Sequence, residues 1–250
     1  MKILSVGATG SIGRHVVAEA SRRGHTVRAL TRDQSRGRGF GSFAEVVVGD
    51  LTRPETLTAA VAGVEAVVFT HGAAYGSDGL EAIDYGGVRN VLAAIGDRPV
   101  RIALMTAIGV TGLGALHDWK RRSERLVRAS GHDYTIVRPG WFDCNDADQE
   151  HLHFLQGDTR HAGSPADGVV ARSQIAQVLV ASVTSAAAAR KTFELVAERG
   201  PAQTDLEPLF TALSADAVGS LDGVRDAANL PLGDEPARVR VDLDAVRSRS

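Results

Sequence analysis

Three glycines near the start of the chain, Gly7, Gly10 and Gly13, stand at Gly-x-x-Gly-x-x-Gly spacing. Residues of that type at that spacing can cradle the pyrophosphate of a dinucleotide. Gly7 permits a tight turn, Gly10 lets backbone approach phosphate closely, and Gly13 allows close helix–sheet packing. With 27 glycines in the chain such a triplet can arise by chance, so its setting decides. Lys2 to Val6 has the aliphatic, β-branched character of a buried parallel strand, and Ser11 to Arg23 carries Ile12, Val16, Val17 and Ala20 at helical spacing. Strand, glycine turn and helix form the setting that a dinucleotide fingerprint requires. The helix N-terminus adds free N–H groups and the positive end of a dipole.

A second chemical signal follows the next strand, expected over His25 to Arg32 after a closing Gly24. An NAD-binding unit places an acidic residue about 20 residues past the glycines, on the ribose 2′-hydroxyl. Here Arg32 holds that place and Asp33 comes one residue later. A guanidinium suits a 2′-phosphate through paired hydrogen bonds and can stack on adenine. The expected cofactor is therefore NADP(H) in preference to NAD(H). The alternative is a solvated arginine in a loop that also holds Arg36 and Arg38.

The elements that must position these groups alternate regularly. Gly37 to Gly41 reads as a flexible connection, Phe43 to Val48 as a third strand and Pro54 to Ala62 as a helix. Glu65 to Phe69 reads as a fourth strand, Asp78 to Ile95 as a long helix and Val100 to Met105 as a fifth strand. Leu116 to Ala129 reads as a helix in which Lys120-Arg121-Arg122 forms a basic face, and Asp133 to Val137 as a sixth strand. This rhythm predicts an α/β fold: a Rossmann-like doubly wound parallel sheet over residues 1–140. After Trp141 the rhythm fails. Residues 141–250 are expected to complete the sheet and cover its ligand edge, in one continuous domain. They would include a strand near Leu152 to Leu155, a helix capped by Ser173 and running to about Val183, a strand over Lys191 to Val196, and a short helix over Leu206 to Leu213. The charged tail beyond Gly233 is expected to be extended or partly ordered.

Composition excludes several classes. A net charge of -2 gives no electrostatic case for nucleic acid or an anionic membrane. No apolar run approaches the roughly 20 residues of a membrane span. The single cysteine, Cys144, rules out an internal disulfide and a multi-cysteine metal site, and suits a reducing cytoplasm. A strand begins at once, with no signal-peptide pattern. His151, His153 and His161 lack an accompanying acidic set, so no metal is expected. A monomer or a homodimer acting on a small molecule fits these limits.

Taken together, the residues resemble the short-chain dehydrogenase/reductase superfamily, specifically its atypical NAD(P)-binding members. The resemblance covers Met1 to about Gly140 well and the remainder loosely, and implies a sheet of about seven strands. Gly7-Ala8-Thr9-Gly10-Ser11-Ile12-Gly13 resembles the family's phosphate-binding loop, which brings Thr9, Ser11 and Ile12 into the expected cofactor site. Asp50-Leu51 sits where the family places an adenine contact, and Thr70-His71-Gly72-Ala73 resembles the turn lining the cofactor. Thr106 stands where the family has a catalytic serine or threonine. Arg138-Pro139-Gly140 resembles the turn on the nicotinamide side.

One departure governs the chemistry. The family's catalytic pair is a tyrosine four residues before a lysine; Lys120 fits the lysine, but Leu116 stands in the tyrosine's place. Leucine has no proton to give. Lys120 is one of only three lysines, with Lys2 and Lys191, among 28 basic Lys and Arg residues. Such an ammonium could reach ribose hydroxyls, or it could face solvent beside its arginine neighbours. Thr106 could hydrogen-bond a substrate oxygen or simply satisfy the strand end. His117 and Asp118 precede Lys120 within one helical turn, and His117 could relay protons. Tyr75, Trp141, Phe142 and Asp143 are candidates for lining a substrate pocket; Cys144 has no basic neighbour to make it a thiolate. The expected activity is NADP(H)-dependent hydride transfer to a small carbonyl, quinone or flavin-like acceptor. A non-catalytic NADP-binding redox sensor and a nucleotide-sugar epimerase-like enzyme are the alternatives.

Overall fold

The computed structural model describes residues 1–74, 77–112 and 115–248, with the side chains of residues 115 and 116 left aside. The chain opens with β1 (Lys2–Val6), α1 (Gly13–Arg22), β2 (Thr26–Thr31) and β3 (Glu45–Val48). Next come α2 (Thr58–Val61), β4 (Ala66–Phe69), α3 (Gly86–Ile95), β5 (Arg101–Met105) and α4 (Ala115–Ala129). Then follow β6 (Tyr134–Pro139), β7 (Trp141–Phe142), β8 (His151–Leu155), β9 (Val169–Val170) and α5 (Arg172–Ser182). The chain finishes with β10 (Lys191–Glu198), α6 (Glu207–Ala212) and α7 (Ala237–Arg247).

The sheet runs β3-β2-β1-β4-β5-β6-β10, and every neighbouring pair along that path is parallel. The strand order reverses between β1 and β4, and ligands of doubly wound sheets bind outside the strand ends at such a crossing. Short strands β8 and β9 pair antiparallel to β10, and β7 runs parallel to β9. The expected α/β Rossmann-like sheet is therefore present. Successive residues of a strand point to opposite faces, and both faces are buried. Ile3 packs on the side of Val16, Val17, Ile175 and Leu179, whereas Leu4 packs with Val88, Val91, Leu126 and Leu243. Among the described residues no helix is long and apolar enough to cross a membrane.

Several expectations need correction. The supposed flexible stretch at Gly37 to Gly41 lies within 3-10 turns over Gln34–Phe43, where Gly37 and Phe40 are buried. Pro54 opens only a 3-10 turn, Pro54–Thr56, before α2. The long helix expected from Asp78 begins instead as a π turn, Glu81–Tyr85, leading into α3. Arg138 and Pro139 end β6, paired with Glu194 and Leu195, rather than forming a turn. Ser173 is not the cap of α5; Ala171 is, and the Gln174 side chain reaches back to accept its N–H at 2.9 Å. The tail is helical because Val239, Leu243 and Val246 put one apolar face against the body. Lys120-Arg121-Arg122 is not a solvated face either: Arg121 is fully buried and paired with Glu124, Asp222 and Asp226.

Candidate functional site

A cleft of about 1360 Å³ opens along the carboxyl ends of the central strands. Pockets for small molecules measure about 300–1,000 Å³, and this cleft is larger than that range. Its floor is the glycine turn. Gly7 has φ 88, and a Cβ there would stand 2.6 Å from the His71 backbone nitrogen. A Cβ on Gly13, buried beneath the turn, would run into the Gly7 carbonyl. Both positions therefore demand glycine, for backbone conformation and for space respectively. Gly10 and Ser11 are exposed at the rim, and the Ser11 and Ile12 amides carry no hydrogen bond among the described residues. Unengaged amides at the start of α1 fit the pyrophosphate of a dinucleotide.

Thr9, Gly10, Ser11 and Ile12 line the cleft at this end, together with Arg32, Asp50 and Leu51. Arg32 is exposed, and Arg36 joins it in the wall. Asp33 is otherwise occupied: its carboxylate accepts the Ser35 N–H at 2.8 Å and the Ser35 hydroxyl at 2.8 Å, capping the 3-10 turn. Asp50 accepts the Thr52 amide at 2.9 Å and hydroxyl at 2.8 Å, which together hold its carboxyl below the usual range.

Thr70, His71 and Gly72 form the middle of the wall. The His71 Nε2 lies 3.0 Å from the Ile83 carbonyl, which fixes Nε2 as the protonated nitrogen of a neutral ring. Burial and then the nearby Lys120 charge push its pKa down to about 4. Its Nδ1 is buried without a partner. Lys120 faces the cleft and pairs at 3.0 Å with Asp84 Oδ2, while Asp84 Oδ1 accepts the Ala73 N–H at 2.8 Å. Asp84 is almost wholly buried, and it ties the turn beside His71 to the lysine on α4. No local pattern points to it, since its partner lies 36 positions away, although the interruption at the π turn marks a place where helices often carry function.

Thr106 and His117 also line the cleft. The Thr106 hydroxyl donates to Glu124 Oε1 at 2.7 Å, so its proton is directed away from the cleft. Burial, with the Lys120 charge acting in the same direction, pushes the His117 pKa below its ordinary value. Pro139, Gly140, Trp141 and Phe142 also line the cleft, as do Ile108, Gly109, Gly112 and His161. Asp143 stands just outside the cleft, bound to Arg172. Tyr75 lies outside the described residues, as does the side chain of Leu116. Sequence reasoning passed over Arg172, which lines the cleft beside Ser11. Cys144 is exposed and is not part of the cleft lining. Among the described residues no cluster of three or more metal-ligating side chains occurs, and His151 and His153 pair with each other on β8.

A doubly wound sheet whose first glycine turn underlies such a cleft defines a nucleotide-binding protein. The chain belongs to a family whose model is described as NAD(P)H-binding and matches residues 7–186. It is 25% identical to the photosystem II assembly factor Ycf39 of Synechocystis, over 86% of this chain and 68% of that protein. It is also 25% identical to an uncharacterized sugar epimerase, YhfK, of Bacillus subtilis, over 84% of this chain and all of that one. Among solved structures, the anaerobilin reductase ChuY of Escherichia coli superposes with a TM-score of 0.64 at 22% identity, covering 81% of this chain and 100% of that chain.

Proposed function

We propose that this protein is a cytoplasmic NADP(H)-dependent reductase, passing hydride to a conjugated carbonyl, quinone or flavin-like acceptor. The Asp84–Lys120 pair at 3.0 Å carries this reading, because it sets an ammonium against the cleft on the helix where Leu116 replaces the usual tyrosine. The nicotinamide cofactor supplies the hydride. The protein supplies orientation: the glycine turn and its free amides hold the phosphates, and Arg32 with Arg36 offers charge for a 2′-phosphate. Lys120 presents N–H donors to ribose hydroxyls and to the acceptor. Conjugated acceptors suit this site, because their reduced anions are delocalised and can take a proton from the ammonium or from water. A simple ketone gives a localised alkoxide that needs an immediate donor. The same reasoning disfavours epimerase chemistry, which resembles the family's tyrosine-dependent reactions. The size of the cleft and the likeness to one protein described as a reductase support the assignment.

The test is NADPH oxidation by the purified protein against a panel of flavins, quinones and enones, with NADH in parallel. Acceptor-dependent oxidation is expected, faster with NADPH and reduced about 100-fold in Lys120→Ala. Tight cofactor binding without oxidation of any acceptor would overturn the reductase and favour a redox sensor. Failure to bind either nucleotide would remove both readings.

A further inference from the structure

Arg172 is the first residue of α5, a poor place for a cation. The N-terminal end of a helix carries partial positive charge, so an arginine there is disfavoured unless something else holds it. Three contacts hold this one. Its backbone N–H donates to Asp143 Oδ1 at 2.9 Å, its Nη1 pairs with Asp143 Oδ2, and its Nε donates to the Ser11 hydroxyl at 3.2 Å. Its guanidinium also lies 5.4 Å over the Phe142 ring. Asp143 adopts a left-handed backbone, φ 52, which is unusual for a residue other than glycine. The remaining nitrogen, Nη2, has no partner among the described residues, and Arg172 lines the cleft next to the exposed Ser11.

We infer that Arg172 binds the pyrophosphate of the dinucleotide from beside the glycine turn, next to Ser11. The C-terminal third thereby contributes a phosphate ligand as well as a substrate wall. The turn offers amides, while Arg172 offers Nη2, the one guanidinium nitrogen that Asp143 and Ser11 leave unengaged. When a phosphate displaces the Ser11 hydroxyl from Nε, Nε and Nη2 together form a fork that matches its paired oxygens. The inference rests on the cleft holding a dinucleotide, but not on whether the protein turns it over.

The experiment is titration calorimetry of NADP+ and NAD+ against the wild type, Arg172→Ala, Arg172→Lys and Arg32→Ala, with thermal unfolding as a check on folding. Both nucleotides carry the pyrophosphate, so Arg172→Ala is expected to weaken both by the same factor, about tenfold or more. Arg172→Lys keeps the charge without the fork and is expected to lose about threefold for both. Arg32→Ala is expected to weaken NADP+ alone. Unchanged affinities in a folded Arg172→Ala, or a loss confined to NADP+, would overturn the inference. If Arg172→Ala does not fold, Arg172→Lys decides: wild-type affinity for both nucleotides would overturn it. A wild type that binds both nucleotides yet reduces no acceptor would remove the proposed reductase while leaving this inference intact.

Discussion

At the scale of single residues, the Asp84–Lys120 pair is asymmetric, and the asymmetry has a consequence. Asp84 has a side chain 1% exposed, whereas Lys120 is 23% exposed. Removing the lysine strands a carboxylate in the interior; removing the carboxylate leaves an ammonium that can reach water. Stranding a buried charge costs about 3 kcal/mol or more. Lys120→Met is therefore expected to lower the unfolding free energy by about 3 kcal/mol. Asp84→Asn, which keeps an oxygen for the Ala73 N–H, is expected to lose about 1 kcal/mol. Urea unfolding of both variants checks the order, and equal losses would mean that the pair is not the partner that matters to Asp84. Both substitutions should lower turnover, because each disturbs the ammonium presented to the cleft. The stability order thus reports on burial independently of the chemistry.

At the scale of elements, α7 gives the most direct test. Val239, Leu243 and Val246 repeat at helical spacing and are buried, and Asp242 on the same helix accepts the Tyr85 hydroxyl at 2.9 Å. Leu243→Ala is expected to destabilise the protein by about 2–4 kcal/mol. Cofactor affinity should be unchanged in the folded fraction, since none of the α7 residues lines the cleft. Calorimetric unfolding and nucleotide titration on one variant separate the two effects. The tail's apolar spacing was present in the sequence but was masked by charge, with Arg238, Arg240, Asp242 and Asp244 interleaved. By contrast, β1, the glycine turn and α1 were legible because each declares itself within a dozen residues. Burial of Arg121 was not legible, because its charge is balanced by Asp222 and Asp226 about a hundred positions away. The same holds for Arg172 and Asp84, whose meaning depends on Ser11 and Lys120. Local periodicity specifies elements, whereas a site assembled from their ends is specified by pairs that only the fold brings together.

At the scale of the whole molecule, buried charge links the C-terminal segment to the sheet. Glu124 on α4 meets Arg121, Arg128 and Arg138, and Arg138 also holds Glu194 and Asp226. Despite desolvation, the surrounding guanidinium groups, Arg138 foremost, bring the Glu124 carboxyl down to about 2. Glu194 goes the other way: burial outweighs Arg138 and pushes it up to about 7. A carboxyl raised on folding contributes stability that is complete below its unfolded value of 4.5 and is lost as pH rises through 7. His71, lowered from 6.5 to about 4, acts in the opposite sense, its contribution being complete above 6.5 and lost as pH falls through 4. Between pH 4.5 and 6.5 the two slopes therefore oppose each other, each spanning up to about 3 kcal/mol. Glu194→Gln should make stability rise more steeply with pH across this window, and His71→Gln should make it rise less steeply or fall. Denaturant titrations at half-unit pH steps read both slopes directly. Parallel profiles for the wild type and both variants would show that neither group changes protonation on folding, and the opposing buried charges would then have no part in the pH response.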